Sequence, residues 1–153
     1  MDLVIECIPE RLDIKQTLFA QLEQHARKDA LLASNSSSFP ITAIAEGLQT
    51  QDRMVGLHFF MPAHLTPLVE VVCGKSTSTE CAQNLYSFMR QCGMVPVLVK
   101  KDLPGFLANR LQHALAREAF SLIDAGVASP EDVDAAVRFG FGFRFLAAGP
   151  VLQ

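Results

Sequence analysis

The sequence contains no CxxC pair, no apolar run of membrane-spanning length, no basic cluster larger than Lys100-Lys101, and no repeat or low-complexity tract. Each absence removes a class of function. Without a CxxC pair, the four cysteines Cys7, Cys73, Cys81 and Cys92 do not suggest a zinc site or a disulfide framework. Three of them lie in apolar runs, so they read as reduced, buried thiols of an intracellular, cytoplasmic protein. The lack of a long apolar run excludes a transmembrane helix, and Asp2, Glu6 and Glu10 stand where a signal peptide would need basic residues. A net charge of −3 leaves nothing to attract a nucleic acid or an anionic membrane. A glycine-rich phosphate loop is also missing. Its one candidate, Gly140-Phe141-Gly142-Phe143-Arg144-Phe145, lacks the last glycine and follows a helical stretch instead of a strand. His58, His64 and Glu70 have no HExxH-like register, so no metal site is expected.

What is present is a core-forming chain of 153 residues, 50% hydrophobic and 19% charged. Its first part alternates strand and helix signals. Asp2 to Ile8 is short, β-branched and mostly apolar, the pattern of a strand buried on both faces. Leu12 to Ala26 has helical spacing, Ala30 to Ser34 reads as a strand and Ile41 to Leu48 as a short helix. Met54 to Phe59 and Leu68 to Val72 are two further strands. Thr79 to Cys92 is a helix capped at Ser78 or Thr79 and ended by Gly93, and Val95 to Val99 is the last strand. The alternation predicts a layered α/β domain with a mainly parallel sheet. After Lys100-Lys101-Asp102 strand signals cease. Phe106 to Ala125 reads as a long helix. Ser129-Pro130-Glu131-Asp132 opens another, predicted to run to about Phe139. A boundary near residue 101 is therefore expected, with an all-helical part following it.

Four short stretches could carry chemistry. In Gly56-Leu57-His58-Phe59-Phe60-Met61-Pro62 a histidine ends an apolar strand, where adjacent loops of a parallel sheet diverge and leave a crevice. Glu70 is the single polar side chain of Leu68-Val69-Glu70-Val71-Val72. A carboxylate in such a run needs a partner, because an isolated buried charge is very costly. An imidazole is a suitable partner, and the carboxylate would fix its tautomer as a general base. The competing reading is a hydrogen-bonded structural histidine, and spacing does not establish contact. Ser34-Asn35-Ser36-Ser37-Ser38 sits between a strand and a helix on the same sheet edge. Capping and turn chemistry account for some of these hydroxyls, and the others could meet a substrate oxygen. Asn109, just past the tight Pro104-Gly105 entry, could either face solvent or aim at the site.

Taken in order, these runs resemble the 3-hydroxyacyl-CoA dehydrogenase family: Asp2-Leu3-Val4-Ile5-Glu6, Ala33-Ser34-Asn35-Ser36-Ser37-Ser38, Gly56-Leu57-His58-Phe59-Phe60, Leu68-Val69-Glu70-Val71, and Lys101-Asp102 with Pro104-Gly105-Phe106 and Asn109-Arg110. The resemblance implies a Rossmann-like NAD-binding domain followed by a helical domain that also makes a dimer. It implies reversible oxidation of a secondary alcohol to a ketone, with hydride passing to NAD. His58 would be the base and Glu70 the acid that orients it. Ser37 and Asn109 would hold the substrate oxygen, while Glu10, Lys15 and Ser37 would line the cofactor.

Two departures from the family pattern stand out. Met61 replaces the asparagine of the family's His-Phe-Phe-Asn-Pro motif. The first βαβ unit, which carries the family's glycine-rich loop, has no counterpart in this sequence. The expectation is a fragment: residues 1–101 as the C-terminal part of the NAD-binding domain, and residues 102–153 as the start of the helical domain. Ala63 to Glu70, Asn109 to Gln112, Gly140 to Arg144 and Gly149-Pro150 look more like relatives acting on small hydroxy acids without CoA, such as carnitine or gulonate dehydrogenases and lambda-crystallin. The reading from another class is a non-catalytic structural or interaction protein on the same fold.

Overall fold

A computed structural model of the chain describes residues 2–152. The chain divides into two units, residues 1–109 and 110–153. The first holds a five-stranded sheet in the order β1-β2-β3-β4-β5, made of Leu3–Glu6, Leu31–Ser34, Met54–Phe59, Leu68–Cys73 and Val95–Val99. Helix α1 (Leu12–His25) joins β1 to β2. A short α2 (Ile41–Ile44) and a 3₁₀ turn (Gln51–Arg53) lie between β2 and β3, and α3 (Thr79–Gln91) joins β4 to β5. The Ser78 hydroxyl caps α3 by accepting from the Cys81 amide, and Gly93 at φ +82° ends the turn beyond it.

Side-chain alternation along the strands builds a core on each face of the sheet. Leu32, Met54 and Val72 pack against Phe19 of α1 and Ile41 and Ile44 of α2. Ala33, Val55, Leu57, Val69 and Val71 pack against Ala82, Leu85 and Met89 of α3. The polar residues Glu6, Ser34, His58 and Glu70 occupy the α1/α2 face and are buried. Two rows across the sheet organise them: Glu6, Ser34, Gly56 and Val72 stand in register, and His58 stands opposite Glu70.

The sheet is mainly parallel, as the strand–helix alternation predicts, with one antiparallel pair and one departure at β1. Pairings β1–β2, β2–β3 and β4–β5 are parallel, but β3 and β4 run antiparallel, joined by a loop over residues 60–67. Among the described residues β1 pairs only with β2, so its other edge is open, and it is not buried on both faces as expected: Ile5 is 41% exposed. The cysteines also differ. All four are free thiols, as expected, but Cys7 and Cys92 are exposed and Cys73 and Cys81 only partly covered. Cys7 lies just past the end of edge strand β1, and Cys92 lies on the turn after α3.

In the second unit, α4 covers Ala108–Asp124, beginning within the first unit. α5 (Pro130–Ala135) starts with Ser129 accepting from the Asp132 amide and proline at the first helical position. It ends earlier than its pattern suggests. A wider π-type turn spans Ala136–Phe141, where Gly140 leaves helical geometry at φ −92° and ψ −119°, and a short α6 (Gly142–Arg144) follows. No helix among the described residues is long and apolar enough to cross a membrane.

Gly56 is a packing constraint of the first unit. A Cβ there would lie 2.7 Å from the Val72 Cβ and 2.9 Å from Ile41 Cδ1. Val72 is fixed by its strand, so the overlap cannot be relieved by a rotamer change alone. Gly56→Ala is expected to cost about 1–3 kcal/mol of stability, measured by chemical denaturation, as overpacking typically does.

Candidate active site

The antiparallel register brings His58 and Glu70 together. Directly opposed residues of such a pair project to the same face with Cβ atoms about 4.5–5.5 Å apart. Here His58 Nδ1 is 2.8 Å from Glu70 Oε2. Glu70 is fully buried, and its other oxygen, Oε1, accepts from the backbone amides of Leu107 at 3.1 Å and Ala108 at 2.8 Å. Burial pushes the Glu70 carboxyl toward protonation. The His58 hydrogen bond and the Ala108 and Leu107 amides outweigh it and hold the group below the ordinary carboxylate range. The carboxylate is therefore charged, and it accepts a hydrogen bond from Nδ1–H. In the neutral ring this tautomer leaves the lone pair on Nε2.

His58 is 3% exposed, and its Nε2 has no hydrogen-bond partner among the described residues. No fully buried polar side-chain atom there is left unpartnered, so Nε2 is where the ring meets solvent. Phe60 and Phe106 flank the ring, with centroids 4.5 and 5.7 Å away. Phe106 is buried and adopts φ 52°, following Gly105 at φ 76°. Two successive left-handed residues turn the chain sharply enough to aim the next two amides at Glu70. The tight Pro104-Gly105 entry hinted at this turn; a phenylalanine in the left-handed region gives no sequence signal.

Ser37 and Asn109 also come together: Asn109 Nδ2 donates to the Ser37 carbonyl at 3.2 Å. The Ser37 hydroxyl is exposed and makes no hydrogen bond among the described residues. Two contacts tie this pair to His58 and Glu70. Asn35 Oδ1 accepts from the Phe59 amide at 2.9 Å, and Ala108, next to Asn109, donates to Glu70.

Glu10 faces the serine loop. Its Oε1 accepts from the Ser36 hydroxyl at 2.5 Å, the Ser37 and Ser38 amides at 3.1 Å each, and the Ser38 hydroxyl at 3.0 Å. Burial acts to raise its pKa, but the bonds from Ser36, Ser38 and Lys15 prevail and lower it to about 2. Lys15 is 1% exposed. Its ammonium contacts Glu6 Oε1 at 2.8 Å, the Ile8 carbonyl at 3.3 Å and Glu10 Oε2 at 3.2 Å. Glu6 in turn accepts from the Ser34 hydroxyl at 2.6 Å. Sequence reasoning missed Glu6 and Ser34, although Glu6 breaks an apolar run just as Glu70 does. Met61 is 88% exposed beside a cis Pro62, on the loop after His58. Among the described residues no cluster of His, Cys, Asp and Glu could hold a metal ion.

The family model for the 3-hydroxyacyl-CoA dehydrogenase NAD binding domain matches residues 1–103, and that for the 3-hydroxyacyl-CoA dehydrogenase C-terminal domain matches residues 105–151. The chain belongs to the 3-hydroxyacyl-CoA dehydrogenase family. A 5-formyl-3-hydroxy-2-methylpyridine 4-carboxylate 5-dehydrogenase of Mesorhizobium japonicum is 39% identical over 98% of this chain and 48% of its own length. A 3-hydroxyacyl-CoA dehydrogenase of Gibberella moniliformis is 44% identical over 98% of this chain and 47% of its own. The crystal structure of a 5-formyl-3-hydroxy-2-methylpyridine 4-carboxylic acid 5-dehydrogenase, described as an NAD+ dependent dismutase, superposes with a TM-score of 0.94 at 38% identity, covering 99% of this chain and 49% of that one. The chain spans about half the length of the curated relatives it matches.

The geometry implies a definite tautomer. Nitrogen NMR is expected to find His58 protonated at Nδ1 and bare at Nε2 when neutral. Glu70→Gln should reverse this, because the new amide group can present a donor to Nδ1.

Proposed function

We propose that this chain carries the proton-transfer and oxygen-binding site of an NAD-dependent dehydrogenase that oxidises the 3-hydroxyl of a 3-hydroxyacyl-CoA to a ketone. The observation that supports this most is the buried His58–Glu70 pair, with one ring nitrogen committed to the carboxylate and the other at the surface. His58 Nε2 takes the hydroxyl proton as the alcohol is oxidised and returns it in the reverse direction. Glu70 keeps the ring in the required tautomer and offsets the positive charge that forms on it. Ser37 Oγ and the second N–H of Asn109 Nδ2 donate to the substrate oxygen as negative charge builds there. Fixing these donors in advance avoids reorganisation at the moment of reaction.

NAD, when bound, accepts the hydride. The side chains present suit its nicotinamide–ribose end, whose ring is cationic in the oxidised form: hydroxyls and a carboxylate at the ends of parallel strands β1 and β2, with the nearby ammonium of Lys15 already engaged. Glu10, Lys15 and Ser37 stand on this cofactor side. A cradle of glycine amides for the pyrophosphate is not among the described residues. In domain terms, residues 1–101 would be part of the NAD-binding domain and residues 102–153 part of the helical domain. Exposed Leu111, Phe120, Phe139 and Leu146 support association of the helical part with a second copy. Free thiols support a cytoplasmic setting, and the acyl-CoA substrate a role in fatty acid metabolism.

A second substrate class has its own support: the Mesorhizobium japonicum relative is named for a pyridine carboxylate without CoA. Comparing kcat/KM for a 3-hydroxyacyl-CoA and a small free hydroxy acid decides between them. Under either reading, His58→Ala is expected to lower kcat by about 10²–10⁴ while NAD affinity is kept. Turnover within a few fold of the unaltered protein would contradict the assignment of the base.

A further inference from the structure

Residues 102–109 run across the candidate site and meet its parts in turn, all within the first unit. Asp102 Oδ2 accepts from the Thr42 amide of α2 at 2.6 Å. The Gly105 amide donates to the Ser38 carbonyl at 3.4 Å. The Phe106 ring meets the His58 ring edge-on, with centroids 5.7 Å apart. The Leu107 and Ala108 amides donate to Glu70 Oε1, and Asn109 Nδ2 donates to the Ser37 carbonyl. The base, its carboxylate and both oxygen donors are therefore in contact with one short run of chain.

We propose that Phe106 is a positioning residue for proton transfer: its buried ring pins a left-handed turn that delivers two amides to Glu70 and brings Asn109 to Ser37. Gly105 and Phe106 adopt φ 76° and 52°. Glycine enters this region freely, but a phenylalanine rarely does, because its Cβ crowds the backbone there. Something must hold it in place. Phe106 is 3% exposed and belongs to the same apolar cluster as Ile41, Ile44 and Val72. Burial of an aromatic ring is among the largest contributions one side chain makes, and here it offsets the cost of the dihedral. The Phe106 N–H closes the turn on the Leu103 carbonyl at 2.8 Å. With φ positive at Phe106, the next two N–H groups converge on one carboxylate oxygen; with φ negative the chain would leave in another direction and they would miss it. The chemical consequence runs through Glu70. Among the described residues His58 is the one titratable group hydrogen-bonded to this carboxylate, and the two amides join it in keeping the group ionised against burial. An ionised Glu70 holds the proton at His58 Nδ1 and leaves the lone pair on Nε2. Phe106 thus acts on the reacting nitrogen through the carboxylate, without touching the substrate.

The functional consequence rests on the dehydrogenase reading, while the structural core is tested apart from it. Phe106→Ala removes the ring but keeps the unfavourable dihedral, so the turn is expected to relax. The Leu107 and Ala108 amide resonances should then move upfield and lose protection from hydrogen exchange. By carbon NMR the Glu70 carboxyl should titrate at higher pH than in the unaltered protein, because donors that favour its ionised form are gone. Loss of packing with the turn intact would leave that titration where it was. In steady-state kinetics kcat should fall about tenfold to hundredfold, the scale of losing hydrogen bonds to a charged group, with KM for NAD within about twofold. Phe106→Leu restores apolar bulk at the pivot and is expected to recover most of the loss. Unmoved Leu107 and Ala108 amides, or an unmoved Glu70 titration, would overturn the proposal. Displaced amides with kcat retained would overturn it as well. Should Phe106→Ala fail to fold, Gly105→Ala keeps the ring but resists φ 76°, and it is expected to shift the same amides and the same titration. Its failure to do so would count equally against the proposal. Unaltered protein without NAD-dependent oxidation would sink the dehydrogenase reading alone, and the amides and the Glu70 titration would still decide the turn.

Discussion

The structure of the site depends on one register: His58 of β3 directly opposite Glu70 of β4. Because side chains alternate with a period of two, a slip of one residue would send Glu70 into the apolar face that packs on α3 and turn Val69 or Val71 toward His58. The carboxylate would then lie among Ala82, Leu85 and Met89 without a partner, at a cost of several kcal/mol. The contact proposed to carry the chemistry thus also specifies the sheet. Removing the charge of Glu70 would relax that specification as well as the tautomer of the ring.

Burial of charge recurs as the organising device of the first unit. Glu70 is satisfied by an imidazole and two backbone amides, Glu6 by Lys15, Ser34 and the Ile8 amide. Neither carboxylate could be buried without these partners, and most of them come from distant stretches of chain. Glu70 draws in the entry to α4 through Leu107 and Ala108. Glu6 and Glu10 draw in α1 and the serine loop. Side chains distant in sequence are therefore held together by the requirement that no buried polar atom go unpaired. Gly56 supplies the complementary condition, an absence of side chain that lets Ile41 close over the sheet beside these groups.

Much of this was legible in the sequence, for identifiable reasons. Strand and helix positions follow from apolar periodicity, and the Ser78, Ser129-Pro130 and Gly93 punctuation falls where the elements begin or end. Glu70 announced itself as a lone carboxylate in an apolar run, and His58 by its place at a strand end. What periodicity does not encode is direction and neighbourhood. It could not distinguish the antiparallel β3–β4 pairing from a parallel one, nor reveal that β1 has a neighbour on one side only. The left-handed Phe106 and the amides it aims at Glu70 were also hidden, since they depend on backbone dihedrals set by packing. Glu10 and Lys15 were noticed through family likeness. Their hydrogen bonds to the serine loop and to Glu6 become visible only with coordinates.

The central claim is that His58 and Glu70 act as one proton-transfer unit. A double-mutant cycle on the rate of hydride transfer tests it most directly, using His58→Ala, Glu70→Ala and the two combined, with folding of each variant verified. Residues that act as a unit are strongly non-additive. The account requires the double variant to be little slower than His58→Ala alone, because Glu70 has no role once the ring is gone. Losses that simply multiply would contradict it, assigning Glu70 to the fold and leaving His58 without its orienting partner.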